Sequence, residues 1–166
     1  MATTDKGWLA TAAIAAAAAA ILAVAYIAQY GFGLFPCQLC YVQRVPYFMV
    51  VVFGAMALMP ALDSRTRRVV LFHLVGLLLL EAGLAAYHAG VEWHWWAGPT
   101  TCTGPGTPST IQDLLTALSK PPPPSCDKPA FVFAGLSMAG WNVIAALLLA
   151  GAGLYAALRK DWWRLS

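Results

Sequence analysis

Apolar residues fall in four long runs, Trp8–Tyr30, Tyr41–Pro60, Val69–Gly90 and Ala130–Leu158, parted by segments where charges and turn formers gather. A helix across a hydrocarbon core takes roughly 20 residues, and each run is long enough. The pattern predicts an all-α membrane protein, a bundle of four transmembrane helices. Residues 1–166 then form one integral membrane domain, and four crossings put both termini on one side. No internal repeat interrupts this reading. The first run has the outline of a signal peptide: Lys6, an alanine tract, and AVA at 23–25 as a small-residue cleavage site. It stays apolar through Tyr26 and Ile27, past a usual signal core, which favours a retained helix.

The connectors differ in character. The first outer loop, about residues 31–40, is short and delivers GFGLFP straight into Cys37. The second, about 91–129, opens with EWHWWAGP, where Trp93, Trp95 and Trp96 suit the headgroup layer. Farther on, Ile111, Leu114, Leu115 and Leu118 recur at helical spacing, with Ser109 and Gln112 spaced as a capping box. Such a helix would lie on the membrane surface or pack on the loop itself. The proline run at 121–124 ends it and favours an extended segment. Cys102 and Cys126 are therefore expected on separate, mobile arms of this loop.

Composition sharpens the membrane reading. The chain is 60% hydrophobic and 10% charged, whereas soluble domains carry about a quarter charged residues. Lys6, Arg65, Arg67, Arg68, Arg159, Lys160 and Arg164 lie at one side of the four helices, and Arg44, Lys120 and Lys128 at the other. Seven against three predicts cytoplasmic termini and two periplasmic loops. The net charge of +3 follows from that bias and calls for no nucleic-acid partner. All four cysteines then face an oxidising compartment, where disulfides persist.

Those cysteines form one tight and one loose pair. Closing the loop between Cys102 and Cys126 would stabilise the fold by roughly 3 kcal/mol as a plain staple. For Cys37 and Cys40, two residues apart, a staple removes little unfolded-state entropy, and exchange chemistry is the better reason for CxxC. The pair precedes the second helix, where free N–H groups and the helix dipole favour a thiolate. With the helix starting near Cys40, Arg44 falls one turn on, where its charge would stabilise a Cys40 thiolate or a reduced ligand. Snorkelling at the membrane boundary is its other reading. Pro46 leaves the Val42 carbonyl without its helix partner. Zinc is disfavoured because Cys102 and Cys126 are not a close second ligand pair. A c-type haem is disfavoured because Tyr41, not histidine, follows Cys40. No metal is expected.

The third run carries His73, Glu81 and His88. At about 100° per residue Glu81 lies about 80° round from His73 and His88 about 60° round, so the three share a face. A buried carboxyl there is expected to be protonated and hydrogen-bonded within the bundle, with proton handling or a quinone contact as the functional reading. His73 is expected at the cytoplasmic boundary. Asn142 reads as a packing hydrogen bond, and His94 as interfacial.

Three stretches carry a family resemblance: Gln29 through PCQLC to Arg44, YHAGVEWHWWAGPTTC ending at Cys102, and Cys126 through FAGLSMAGWN to Asn142. With the four-helix frame and the cysteine order, the chain resembles the DsbB-type disulfide bond oxidases, membrane thiol:quinone oxidoreductases of the bacterial envelope. The resemblance covers nearly the whole length. It implies that Cys102 is attacked by a reduced DsbA-like thioredoxin-fold oxidase, and that Cys126 exchanges with Cys37. It further implies that Cys40, freed as a thiolate, meets ubiquinone or menaquinone from the membrane quinone pool. Arg44 would stabilise the thiolate and the reduced quinone, and His88 would lie near the quinone site. It also implies the bacterial inner membrane as location. Glu81 gains no role from it, and the proline-rich loop departs from the family's pattern.

Two rivals remain. A vitamin K epoxide reductase-like enzyme also couples cysteine pairs to quinones, but its quinone-side CxxC comes late in the chain. A membrane scaffold stapled by two disulfides would leave its thiols indifferent to quinone. Which quinone, which partner, the resting disulfide pairing and the oligomeric state stay open.

Overall fold

In a computed structural model of the protein, residues 6–99, 102, 110–112, 115 and 124–163 are described. Four helices form the bundle: α1 (Lys6–Gly31), α2 (Gln38–Ala57), α3 (Ser64–Glu92) and α4 (Met138–Leu158), with a 3₁₀ turn at Lys160–Trp163. All four are long and apolar enough to cross a membrane. Their outer faces expose Phe48, Val52, Leu79, Leu80 and Leu148, which suits lipid and not water. Leu71, Leu74 and Leu78 of α3 are fully buried at the centre, among Ile14 and Leu22 of α1, Val50 of α2 and Ala150 of α4. In lipid the hydrophobic effect does not press helices together, so close packing must. Small residues allow it. A Cβ on Gly54 would stand 2.7 Å from the Ala15 Cβ, and one on Gly153 2.9 Å from a Val75 methyl.

The basic turn between α2 and α3 closes helix ends. Asp63 caps α3, its carboxylate accepting from the Thr66 amide at 3.1 Å. Arg67, buried, donates to the carbonyls of Ala57 (2.8 Å), Leu62 (3.1 Å) and Met59 (3.4 Å) around the end of α2. Arg68 Nε donates to the Ala157 carbonyl at the end of α4, 2.7 Å away. Two arginines counted only as topological charge thus also satisfy orphan carbonyls and the negative ends of two helix dipoles. Trp8 Nε1 reaches the Leu58 carbonyl at 3.4 Å, and Trp163 packs over Gly7. The start of α1, the α2–α3 turn and the end of α4 therefore meet at one end of the bundle.

The other end departs from the apolar runs. Residues 130–137 do not begin the fourth helix. Strands β1 (Val132–Phe133) and β2 (Leu136–Ser137) pair antiparallel around Ala134 and Gly135, at φ 50° and 81°. Two successive left-handed residues make the tight hairpin turn that matches strand twist, and an apolar window does not reveal it. Ser137 then caps α4, its hydroxyl accepting from Gly140 N at 3.1 Å. The helices α2 and α3, by contrast, start earlier than their apolar runs, at Gln38 and Ser64. Trp93, Trp95 and Trp96 cluster and stay exposed beside Tyr87. Ser109, Leu114, Leu118, Lys120, Pro121–Pro123 and Arg164 lie outside the described residues; Ile111 and Leu115 are exposed.

Arg67→Ala should lower Tm in detergent by the loss of about 1.5–3 kcal/mol, the worth of hydrogen bonds from a charged donor. Arg67→Lys should restore only part of it, since one ammonium cannot reach three carbonyls in a planar fork. An unchanged Tm for the alanine variant would refute the clamp.

Candidate functional site

Pro36 ends the first loop, and Cys37 takes the N-cap of α2 in extended conformation. Its Sγ accepts from the Cys40 amide at 3.3 Å, a role usually filled by serine or aspartate. The two sulfurs lie 2.8 Å apart, and both cysteines are free, Cys37 buried and Cys40 half-buried. The Cys37 thiol is pushed down to about 4, by the Cys40 thiol first and then by His88, against burial, which raises it. The helix was expected to begin near Cys40. Because it begins at Gln38, the groups that stabilise a thiolate converge on Cys37 instead.

Arg44 is on α2 one turn after Cys40, yet its guanidinium turns toward α1. Nη1 donates to Gln29 Oε1 at 2.7 Å, and the cation lies over Tyr26 and Tyr41 at 4.7 and 5.1 Å from the ring centroids. Among the described residues no hydrogen bond joins it to Cys40. Stacking on two rings and a side-chain amide holds the charge at the mouth of a cleft.

The loop pair was expected on separate mobile arms. Cys102 and Cys126 are disulfide-bonded to each other, as the staple reading allowed, and both are buried, with Cys126 N donating to the Cys102 carbonyl at 3.2 Å. They share one buried cluster with Cys37, Leu39 and Val91, and Cys40 packs against it. Residues far apart in sequence are thereby gathered into a single four-cysteine site.

A polar chain leads from this site into the bundle. His88 Nε2 lies 3.5 Å from Cys37 Sγ and 3.8 Å from Glu92 Oε1. Gln43 Nε2 donates to His88 Nδ1 at 3.1 Å. Asn142 Nδ2 donates to Gln43 Oε1 (3.1 Å) and to Glu81 Oε1 (2.7 Å), while Tyr47 donates to Asn142 Oδ1 (2.7 Å). Glu81 is fully buried, so its hydrogen bond within the bundle is as expected, and Asn142 is a hub rather than a single packing bond. His73 does not share the buried face: it is exposed, and its Nδ1 lies 2.8 Å from the Val69 carbonyl of its own helix. His94, in left-handed conformation among the tryptophans, is exposed.

Cys37, Cys40, Gln43, Arg44 and His88 line a cleft of about 790 Å³ whose remaining walls are mostly apolar side chains of α1, the hairpin and α4. Cys37, Cys40 and His88 also bring their ligand atoms within 4.8 Å of one another. A tetrahedral zinc with ~2.3 Å bonds holds its sulfurs roughly 3.7 Å apart, wider than the 2.8 Å seen here. The spacing suits sulfur exchange better than chelation. The model of the family described as Disulfide bond formation protein DsbB matches residues 7–156. The chain belongs to the DsbB family. Disulfide bond formation by a multi-pass membrane protein is accordingly its broad activity.

Relatives agree with that membership. A Disulfide bond formation protein B of Marinobacter nauticus is 28% identical over 87% of this chain and 90% of its own. An uncharacterized protein of Rickettsia prowazekii is 30% identical over 77% of this chain and 74% of its own. No solved structure matches the chain significantly.

Sequence reasoning missed Gln43, Tyr47 and Glu92. Glu92 stands one helical turn after His88, a spacing that could have flagged it; Gln43 and Tyr47 carried no comparable mark.

In the reduced DsbB-family chain, alkylation of Cys37 should stay fast across neutral pH and fall only as the pH drops toward about 4. The thiolate is the nucleophile, and a depressed value means that its stabilisation is lost from below. His88→Phe should move the fall to higher pH. A midpoint near that of an ordinary thiol in the parent chain would contradict the site geometry.

Proposed function

We propose that this protein is a thiol:quinone oxidoreductase of the bacterial inner membrane. It reoxidises a DsbA-like periplasmic thiol oxidase and passes the electron pair to ubiquinone or menaquinone. The observation that carries the reading is the gathering of all four cysteines, three of them buried and Cys40 packed against them, at a mostly apolar cleft. The excess of basic residues at the opposite end supports cytoplasmic termini and periplasmic cysteines.

The exchange balances within the chain. A partner thiolate attacks Cys102, the Cys102–Cys126 bond breaks, and Cys126 leaves as a thiolate. Cys126 attacks Cys37 of an oxidised Cys37–Cys40 pair and frees Cys40. The partner's second thiol resolves its mixed disulfide, releasing Cys102, which attacks Cys126 and frees Cys37. The partner has lost two electrons and two protons, and the electrons now reside on Cys37 and Cys40. The bonding of the structure, Cys102 joined to Cys126 with Cys37 and Cys40 free, corresponds to that loaded state. A thiol of low pKa is a good leaving group, so the donors around Cys37 favour its departure.

The cleft fits a flat ring with polar oxygens and an apolar tail: Arg44, His88 and Gln43 stand near the sulfurs, while Ile21, Val24 and Ala25 of α1 give apolar wall. Bound there, a quinone would supply the two-electron acceptor. Cys40 faces that space, Arg44 stabilises negative charge at its mouth, and His88 holds a proton beside Cys37.

Purified protein should reduce a quinone when a reduced thioredoxin-fold partner is added, and Cys40→Ser should abolish turnover. Arg44→Ala should slow quinone reduction more than exchange with the partner. No turnover with either quinone class would turn the reading toward a stapled scaffold, and equal slowing of both steps would remove Arg44 from the quinone side.

A further inference from the structure

The polar chain of α2, α3 and α4 is ordered by direction as well as by distance. Gln43 Nε2 faces two partners, His88 Nδ1 at 3.1 Å and the Leu84 carbonyl at 3.5 Å. A backbone carbonyl only accepts, so the nitrogen of this amide, and not its oxygen, must stand on that side. The other end agrees, because Gln43 Oε1 receives Asn142 Nδ2. The same Asn142 nitrogen is held by Glu81 Oε1, and its oxygen is taken by the Tyr47 hydroxyl. Each amide is thus oriented by both of its neighbours.

The consequence falls on His88. A neutral imidazole has one donor and one acceptor nitrogen, and the partner of one fixes the other. Nδ1 meets an amide donor and must accept. Nε2 of the neutral ring then carries the proton and faces Cys37 Sγ at 3.5 Å, which as a thiolate only accepts; a Glu92 oxygen stands 3.8 Å away on the same side.

We propose that Gln43, oriented by Asn142 and the Leu84 carbonyl, is a positioning residue that locks His88 in its Nε2–H tautomer and so aims a donor at the Cys37 sulfur. Without it the ring could place its proton on Nδ1 and present a lone pair to that sulfur. The lock makes Cys37 a better thiolate and leaving group. Asn142 and the fully buried Glu81 act one and two steps farther back. The charged or titratable groups near the ring are Cys37, Cys40 and Arg44 from the start of α2, Glu92 from α3, and Lys128 at the rim of the same cleft. Its effect on turnover rests on the proposed exchange role of Cys37; the tautomer itself does not.

The test uses the full reduced chain in detergent with His73→Gln and His94→Gln, which leave ¹⁵N-labelled His88 alone. The parent should show a protonated Nε2 and an unprotonated Nδ1 at neutral pH. Gln43→Met, similar in length but without a donor, should shift both nitrogens toward averaged values and slow alkylation of Cys37 at pH 4 about fivefold, as a one-unit rise of a thiol pushed down to about 4 would. Asn142→Leu should move both readouts in the same direction but less. A protonated Nδ1 in the parent, or a spectrum and alkylation rate unchanged by Gln43→Met, overturns the proposal. Neither readout involves quinone, so failure of quinone turnover would sink the functional reading and leave this result standing.

Discussion

The hydrogen bond from the Cys40 amide to Cys37 Sγ is the contact on which the site depends. A helix start has donors with no partner inside the helix, and here a sulfur accepts one. The cap sets where α2 begins, and so which face Gln43, Arg44 and Tyr47 present. It also places a stabilised thiolate at the junction of loop and membrane helix. Its complement lies at the opposite end of the bundle, where Arg67 and Arg68 satisfy carbonyls at the ends of α2 and α4. Polar groups at both ends fix the helices, and tight contacts at Gly54 and Gly153 hold them between.

Burying polar groups in a bundle is costly unless each finds a partner. The route from His88 through Gln43 and Asn142 to Glu81 meets most of that demand with hydrogen bonds spanning three helices. The second oxygens of Glu81 and Glu92 have no hydrogen-bond partner among the described residues. Both carboxyls belong to α3, the helix that also carries His88, so the unmet polar demand gathers around the site.

Much of this was legible in the sequence. Four apolar runs gave the bundle, because span length is dictated by bilayer thickness. CxxC at a helix start gave the reactive pair, because dipole and free amides act locally. What was not legible depends on three dimensions. The i+4 spacing put Arg44 on the face of Cys40 but could not show that Tyr26 and Gln29 of α1 would capture its charge. The sequence allowed a Cys102–Cys126 staple but could not show that burial against Val91 and Leu39 would bring it beside Cys37. Helical angles put His73 with Glu81 and His88, yet an 80° offset was enough to carry it off the buried face. The hairpin at Ala134 and Gly135 was hidden because its residues are as apolar as those of a helix.

The central claim is that the loop pair and the helix pair form one exchanging cluster. It is tested most directly by a Cys40→Ser, Cys102→Ser double variant, which leaves only Cys37 and Cys126. Peptide mapping after mild oxidation of the full chain in membranes should find a Cys37–Cys126 disulfide in most molecules. Persistence of both thiols under conditions that reoxidise the parent would show that the two pairs do not communicate, and would contradict the account.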